Sequence, residues 1–408
     1  MIRCSCGREF NSKRGLAQHQ ADKARNNKNT VNAVCQSSTA QTPPPATRMP
    51  VSRALREAWM WKNVKSVNVI QRISASTLQP SAVSVSSVPA YELVCSYSWQ
   101  NDKAPILNIP GSTPLWHGNA LPVTLPRDKG TYFVDQNASR VPHHRFEPLF
   151  RSTAIIAPEF RFDNVDVVSN RNSLRKLLDF CAGRSKDSFR IDLMLVNNTL
   201  FLERREKNVR ELIRGKQNSG WGHSFEHAFT KFAPGTEGST GYHRALHYPL
   251  GGLRCVVQFE IDAFYEEGKK NEEDESITLP MARLSLKDQP EADALQAQAS
   301  KSSKKTILMP QATAAEIKTS MRPRNIGQYL PQLWFGRTPW LMIGRHDNGT
   351  FKEVKITDAA AQFEDWETRH QTELQKLVVV LGQLREAVRK NGGKGASRFM
   401  SGMRKRRK

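Results

Sequence analysis

The chain contains no run of eighteen or more apolar residues and no apolar core behind its Met-Ile-Arg-Cys start, so neither a membrane span nor a secretory leader is expected. Its six cysteines are scattered without the spacing of a disulfide framework, which points to a reducing, intracellular setting. Cys95, Cys181 and Cys255 therefore read as core residues. The phosphate loop Gly-x-x-x-x-Gly-Lys-Ser/Thr is absent, which removes one route to nucleotide hydrolysis. Asp-Asp-x-x-Asp, which would bind diphosphate through Mg²⁺ in prenyl transfer, is absent too. Acid is also short: 39 Asp and Glu stand against 61 Lys and Arg, a formal net charge of +22 over 408 residues. The excess sits at the ends, with eight bases and two acids in residues 1–50 and ten bases and one acid in 385–408. Two basic arms on a milder body suit a polyanionic partner, because each phosphate neutralised releases counterions. Arg404-Lys-Arg-Arg-Lys408 reads equally as a nuclear-import signal, so a location in the nucleus, or in nucleus and cytoplasm, is the expectation.

Along the chain, residues 1–25 form a degenerate Cys2His2-like finger. Cys4, Cys6 and His19 keep part of the ligand spacing, and Cys35 is the remaining candidate for Zn²⁺. Residues 26–88 are rich in Ser, Thr, Gln and Pro and read as a flexible linker. The body is expected over 89–390, interrupted at about 266–312 by alternating charge runs that read as a disordered insertion. Leu374, Leu377, Leu381, Leu384 and Val388 recur at three and four residues and predict an amphipathic helix, stopped by Asn391-Gly-Gly. A free basic tail, 391–408, would follow.

What the chain does carry is a set of four short motifs in its second half. They are Gly222-His-Ser-Phe-Glu226, Glu260-Ile-Asp262, Glu316-Ile-Lys318, and Gln332 at the head of Gln-Leu-Trp-Phe-Gly-Arg-Thr-Pro. Glu260 ends the apolar run Cys255-Val-Val-Gln-Phe259, which reads as a buried strand. Strand period then puts Glu260 and Asp262 on one face, and likewise Glu316 and Lys318. Gathered carboxylates raise each other's pKa, and a hard cation such as Mg²⁺ or Mn²⁺ is the natural compensation. A lysine beside that cation could orient or activate a water.

In their order, these motifs resemble those of the DXO/Rai family of RNA 5′-end decapping nucleases, over about Pro158 to Glu364. The family's arginine motif would correspond to Arg171, although Asn172 stands where the family has glycine and His223 where it often has an aromatic. The resemblance implies that Glu226, Glu260, Asp262, Glu316 and the carbonyl of Ile317 face two divalent ions, and that Lys318 and Gln332 position phosphate and water. Arg171 would steady substrate phosphates. It also implies an α/β (α+β) body with a mixed, largely antiparallel central sheet flanked by helices. RNA 5′ ends, DNA as an open alternative, and a larger exonuclease as protein partner are its expectations; a membrane is not.

Two other readings use the same residues. His223-x-x-Glu226-His227 fits an inverted zinc-peptidase motif, but leaves the acids downstream and the basic arms without a role. A catalytically silent nucleic-acid-binding protein would use the arms and keep the body as scaffold. Against it, every acid, the lysine and the glutamine are still of the right type.

Overall fold

The computed structural model describes residues 2–3, 9–10, 57–64, 69–216, 219–233, 236, 238–266, 277–286 and 300–399. The chain falls into two units, 1–52 and 53–408. In the first, β1 (Ile2–Arg3) and β2 (Glu9–Phe10) pair antiparallel. The four expected zinc ligands, Cys4, Cys6, His19 and Cys35, lie outside the described residues.

The second unit contains β3 (Glu92–Gln100), β4 (Ile106–Ile109), β5 (Leu115–Trp116), β6 (Val123–Thr124), β7 (Lys129–Phe133), β8 (Val167–Asn170), β9 (Phe189–Val196), β10 (Thr199–Arg205), β11 (Arg210–Arg214), β12 (Thr230–Lys231), β13 (Ser239–Leu250), β14 (Leu253–Glu260), β15 (Ala263–Phe264), β16 (Ile277–Ser285), β17 (Ser300–Leu308), β18 (Ala314–Ser320), β19 (Trp340–Asp347), β20 (Thr350–Asp358) and β21 (Lys394–Phe399). Its α-helices among the described residues are α1 (Gln136–Arg140), α2 (Glu147–Ile156), α3 (Arg171–Cys181), α4 (Gly222–Phe229), α5 (Leu330–Gly336) and α6 (Phe363–Lys390). Ten strands form one sheet in the order β17-β16-β4-β3-β13-β14-β8-β10-β9-β21, and seven form another, β12-β5-β15-β18-β19-β20-β6. β8 lies parallel to both β10 and β14, as β18 does to β19; most other pairs are antiparallel. This is the mixed, largely antiparallel α+β arrangement expected.

Burial explains the apolar runs. Cys255, Val257 and Phe259 of β14 face a core shared with α3, α5 and α6, while Val256 faces a second core with Leu149 of α2. A strand covered on both faces reads as continuous hydrophobicity rather than alternation. The hairpin β19–β20 turns on Asn348 (φ 47°) and Gly349 (φ 93°), a two-residue turn whose positive φ at both positions favours Asn-Gly. In α6 the five predicted apolar residues are buried, and Gly392 and Gly393 at positive φ end the helix region.

Three boundaries differ from the sequence reading. The linker does not extend to 88: Met60, Leu78 and Val85 are buried, and Val85 and Gln371 bond side chain to backbone in both directions, at 2.7 and 3.0 Å. These contacts use irregularly spaced residues, so no periodicity announces them. Part of the supposedly disordered insertion forms β16 and β17, and Leu284 and Leu286 are buried in the second core. Only this short alternation was apolar among long charge runs. Finally, 391–408 is not all tail, since β21 pairs with β9 and Phe399 stacks on Phe189 at 4.5 Å.

Candidate active site

Glu260 is the last residue of β14, and the chain then passes from the large sheet to the small one. The amide of Ile261 donates to the Tyr242 carbonyl of β13, while that of Asp262 donates to the Ala315 carbonyl of β18. Ile261 is buried in the main core, leaving the two flanking carboxylates at the junction of the sheets. Asp262 Oδ2 accepts from the Ile317 amide at 2.8 Å, which ties this crossing to β18. On β18, strand period puts Ile317 in the small sheet's core and Glu316 and Lys318 on the opposite face. Lys318 Nζ reaches Glu316 Oε1 at 2.5 Å, the Ile317 carbonyl at 2.9 Å and Asp262 Oδ2 at 3.5 Å.

Helix termini supply the rest. Asn170 caps α3 by accepting from the Ser173 amide at 2.8 Å, and Arg171, the first helical residue, reaches Glu316 Oε2 at 3.2 Å. Gln332 on α5 donates through Nε2 to Glu316 Oε1 and accepts from Arg175 Nη1 at 3.0 Å. Glu226 lies on α4, whose first amides, those of His223 and Ser224, donate to the Asp128 carboxylate at 3.3 and 2.9 Å.

The electrostatics follow from this crowding. Burial, and then repulsion by Glu226, push the Glu260 carboxyl up to about 7, although Glu260 is open to the cleft. Asp262 is raised well above its ordinary value by burial and by Glu316. Glu316 is buried too, yet nearby Lys318 and Arg171 outweigh that burial and hold it below the usual range. Burial would lower Lys318, but Glu316 and Asp262 outweigh it and raise its pKa, so the amine stays charged. A cleft of about 300 Å³ opens beside these groups, bordered by Arg171, Asn172, Arg175, Arg204, His243 and Glu260 among others. A depression of about 430 Å³ at Phe160 and His247 contains none of the site residues.

The structure thus gathers Arg171, Glu226, Glu260, Asp262, Glu316, Ile317, Lys318 and Gln332 into one region. Among the described residues, no group of three or more His, Cys, Asp or Glu is placed to hold a metal ion as it stands; Lys318 and Arg171 compensate the carboxylates instead. The donor set nevertheless fits a hard divalent cation. It is all oxygen, its carboxylates raise one another, and Glu316 Oε2, ion-paired with Arg171 at 3.2 Å, accepts no hydrogen bond. The zinc-peptidase pair finds no such support: His223 stacks face to face on Tyr132 at 3.7 Å, and no third ligand joins it among the described residues. Sequence reasoning missed Arg175, Asp128 and His243. Arg175 was legible as the residue one helical turn beyond Arg171; Asp128 and His243 carried no signal, since only tertiary packing brings them near.

Three solved structures of S. pombe Rai1 are similar to this chain. The free protein and its complex with 3′-FADP are each 13% identical, with a TM-score of 0.51 over 81% of this chain and 96% of theirs. A mutant in complex with 3′-FADP is 12% identical, with a TM-score of 0.50 over 81% of this chain and 95% of its own. At these identities the likeness is one of fold. No curated protein matches the sequence. Residues 67–405, which include every element that builds the site, match the model described as Domain of unknown function (DUF8563), and the chain belongs to that family.

Proposed function

We propose that the protein is a metal-dependent hydrolase of RNA 5′ ends, removing a cap or 5′ phosphates, or releasing terminal nucleotides. One observation carries the reading: Arg171, Lys318 and Gln332, from three separate elements, converge on the buried Glu316, with Asp262 bonded to the adjacent Ile317 amide. So many polar groups around one buried carboxylate exceed what packing requires. The shared fold with Rai1 of S. pombe, crystallised with the nucleotide ligand 3′-FADP, supports a nucleotide substrate.

Glu226, Glu260, Asp262, Glu316 and the Ile317 carbonyl would hold the divalent ion or ions. Such an ion, when bound, lowers the pKa of water and offsets phosphate charge. The raised pKa of Lys318 makes it a donor that orients, rather than a base. Arg171 and Arg175, beside the cleft, offer guanidinium groups to substrate phosphates. Gln332 joins Arg175 to Glu316 and fixes their spacing.

The test is incubation of the full chain with Mg²⁺ or Mn²⁺ and a panel of 5′-end-labelled RNAs, beside the Glu316→Ala/Lys318→Ala double variant. Metal-dependent release of a cap fragment, diphosphate or nucleotide is expected, lost in the variant while RNA binding persists. No release from any RNA or DNA, with salt-sensitive binding retained, would leave a nucleic-acid-binding protein on a silent nuclease fold.

A further inference from the structure

The cleft continues onto a surface that the site does not use. β7 and β11 form a two-stranded ribbon of their own, with Phe133 opposite Arg210, Thr131 opposite Leu212 and Lys129 opposite Arg214. Residues directly opposite in an antiparallel pair share a face, and alternate pairs lie on the same face. These six therefore make one face of the ribbon, and all six are exposed, Leu212 at 60% and Phe133 at 36%. The other face carries Tyr132, whose ring stacks on His223 of α4, together with the half-buried Ile213 and the ribbon's single acid, Glu211, itself exposed.

Charge is thus segregated across the ribbon: three cations and two apolar side chains on the outer face, the acid on the inner one. Leu212, exposed between cations, costs solvation without stabilising this chain's core, and Phe133 at the ribbon's end has the guanidinium of Arg140 over its ring at 5.4 Å. The pattern is the one used to bind single strands, where cations track phosphates and apolar or aromatic groups meet unstacked bases. Continuity with the cleft decides the register. Phe133 ends the ribbon and also borders the cleft, and the guanidinium of Arg210 lies over its ring at 5.2 Å. From Phe133 to Lys129 the face is about 13 Å long.

We propose that the outer face of the β7–β11 ribbon binds the single-stranded RNA that leads out of the cleft, with Lys129, Arg210 and Arg214 on phosphates and Phe133 and Leu212 against bases. The direction of the strand rests on the proposed function; the binding does not. A protein partner on the same exposed face is the competing outcome.

The test is fluorescence anisotropy of a labelled single-stranded RNA of about 12 nucleotides, titrated with the full chain over a salt series without divalent metal, so that cleavage plays no part. Lys129→Gln/Arg214→Gln removes two phosphate contacts and is expected to reduce the slope of log K against log salt by about 1.4. Glu211→Gln, on the inner face, is expected to leave the slope unchanged. Leu212→Arg adds a cation to the outer face and should steepen the slope by about 0.7, which keeps the test informative if the double variant folds poorly. RNA binding that follows this pattern in a protein that cleaves nothing would support the ribbon and end the nuclease reading. Slopes unchanged in both outer-face variants would overturn the proposal and leave the face to a protein partner.

Discussion

Glu316 is 2% exposed and still ionised, which an isolated buried carboxylate could not be. Lys318 at 2.5 Å and Arg171 at 3.2 Å supply the compensation, whereas at Asp262 burial and then Glu316 outweigh Lys318, at 3.5 Å, and that carboxyl is pushed up. Outside the site, Asp166 shows the structural use of the same physics. Burial would raise its pKa, but the Arg254 amide and side chain, at 2.9 and 3.3 Å, and Arg385, at 3.1 Å, lower it below the ordinary 3.8. A depressed carboxylate contributes stability above its unfolded pKa and loses it as pH falls through the folded one. Asp166→Asn should therefore cost about 1–3 kcal/mol at neutral pH. In urea titrations the gap to the wild type should close below pH 3.8, and a gap that does not narrow would refute the assignment.

At the scale of elements, the site depends on helix ends whose caps come from different distances. α3 is capped by Asn170, its immediate neighbour, so Arg171 is placed locally. Trp221 at the start of α4 provides no side-chain cap, and Asp128, from the loop before β7, fills that role. Asp128→Ala should destabilise the protein by about 0.5–2 kcal/mol. Under the proposed function it should also lower kcat more than it changes KM, because Glu226, proposed to hold the ion, loses its fixed position while Arg171, proposed to meet substrate phosphates, is not touched. Denaturation and steady-state kinetics read the two effects separately. Gly344 contributes to the same placement: a Cβ there would meet the Phe225 ring within 2.5 Å, so glycine lets β19 lie close beneath α4.

For the whole molecule, the large sheet is closed at one end by a strand from a segment that reads in sequence as a basic tail. Phe399 of β21 is 5% exposed, stacked on Phe189 and edge-on to Phe180 of α3. Phe399→Ala is expected to cost about 3 kcal/mol, as for a core phenylalanine. Ending the chain at Asn391 would in addition free the edge of β9 and promote association. A melting temperature unchanged in Phe399→Ala would show that the strand adds nothing to the fold.

The sequence by itself determined several elements and the acids: β14 from its apolar run, α6 from its three-and-four spacing, and the site's ordered motifs from their residue types. Periodicity is a local property, and these features need only neighbours in the chain to be specified. Tertiary structure alone decided that Glu260 and Asp262 straddle a crossing between two sheets, that Asp128 caps α4, that Arg175 and Gln332 meet, and that residues as far apart as Met60 and Phe399 belong to the body. Each is a contact between residues distant in sequence, chosen by the packing of whole sheets, and no short window of residues contains both partners.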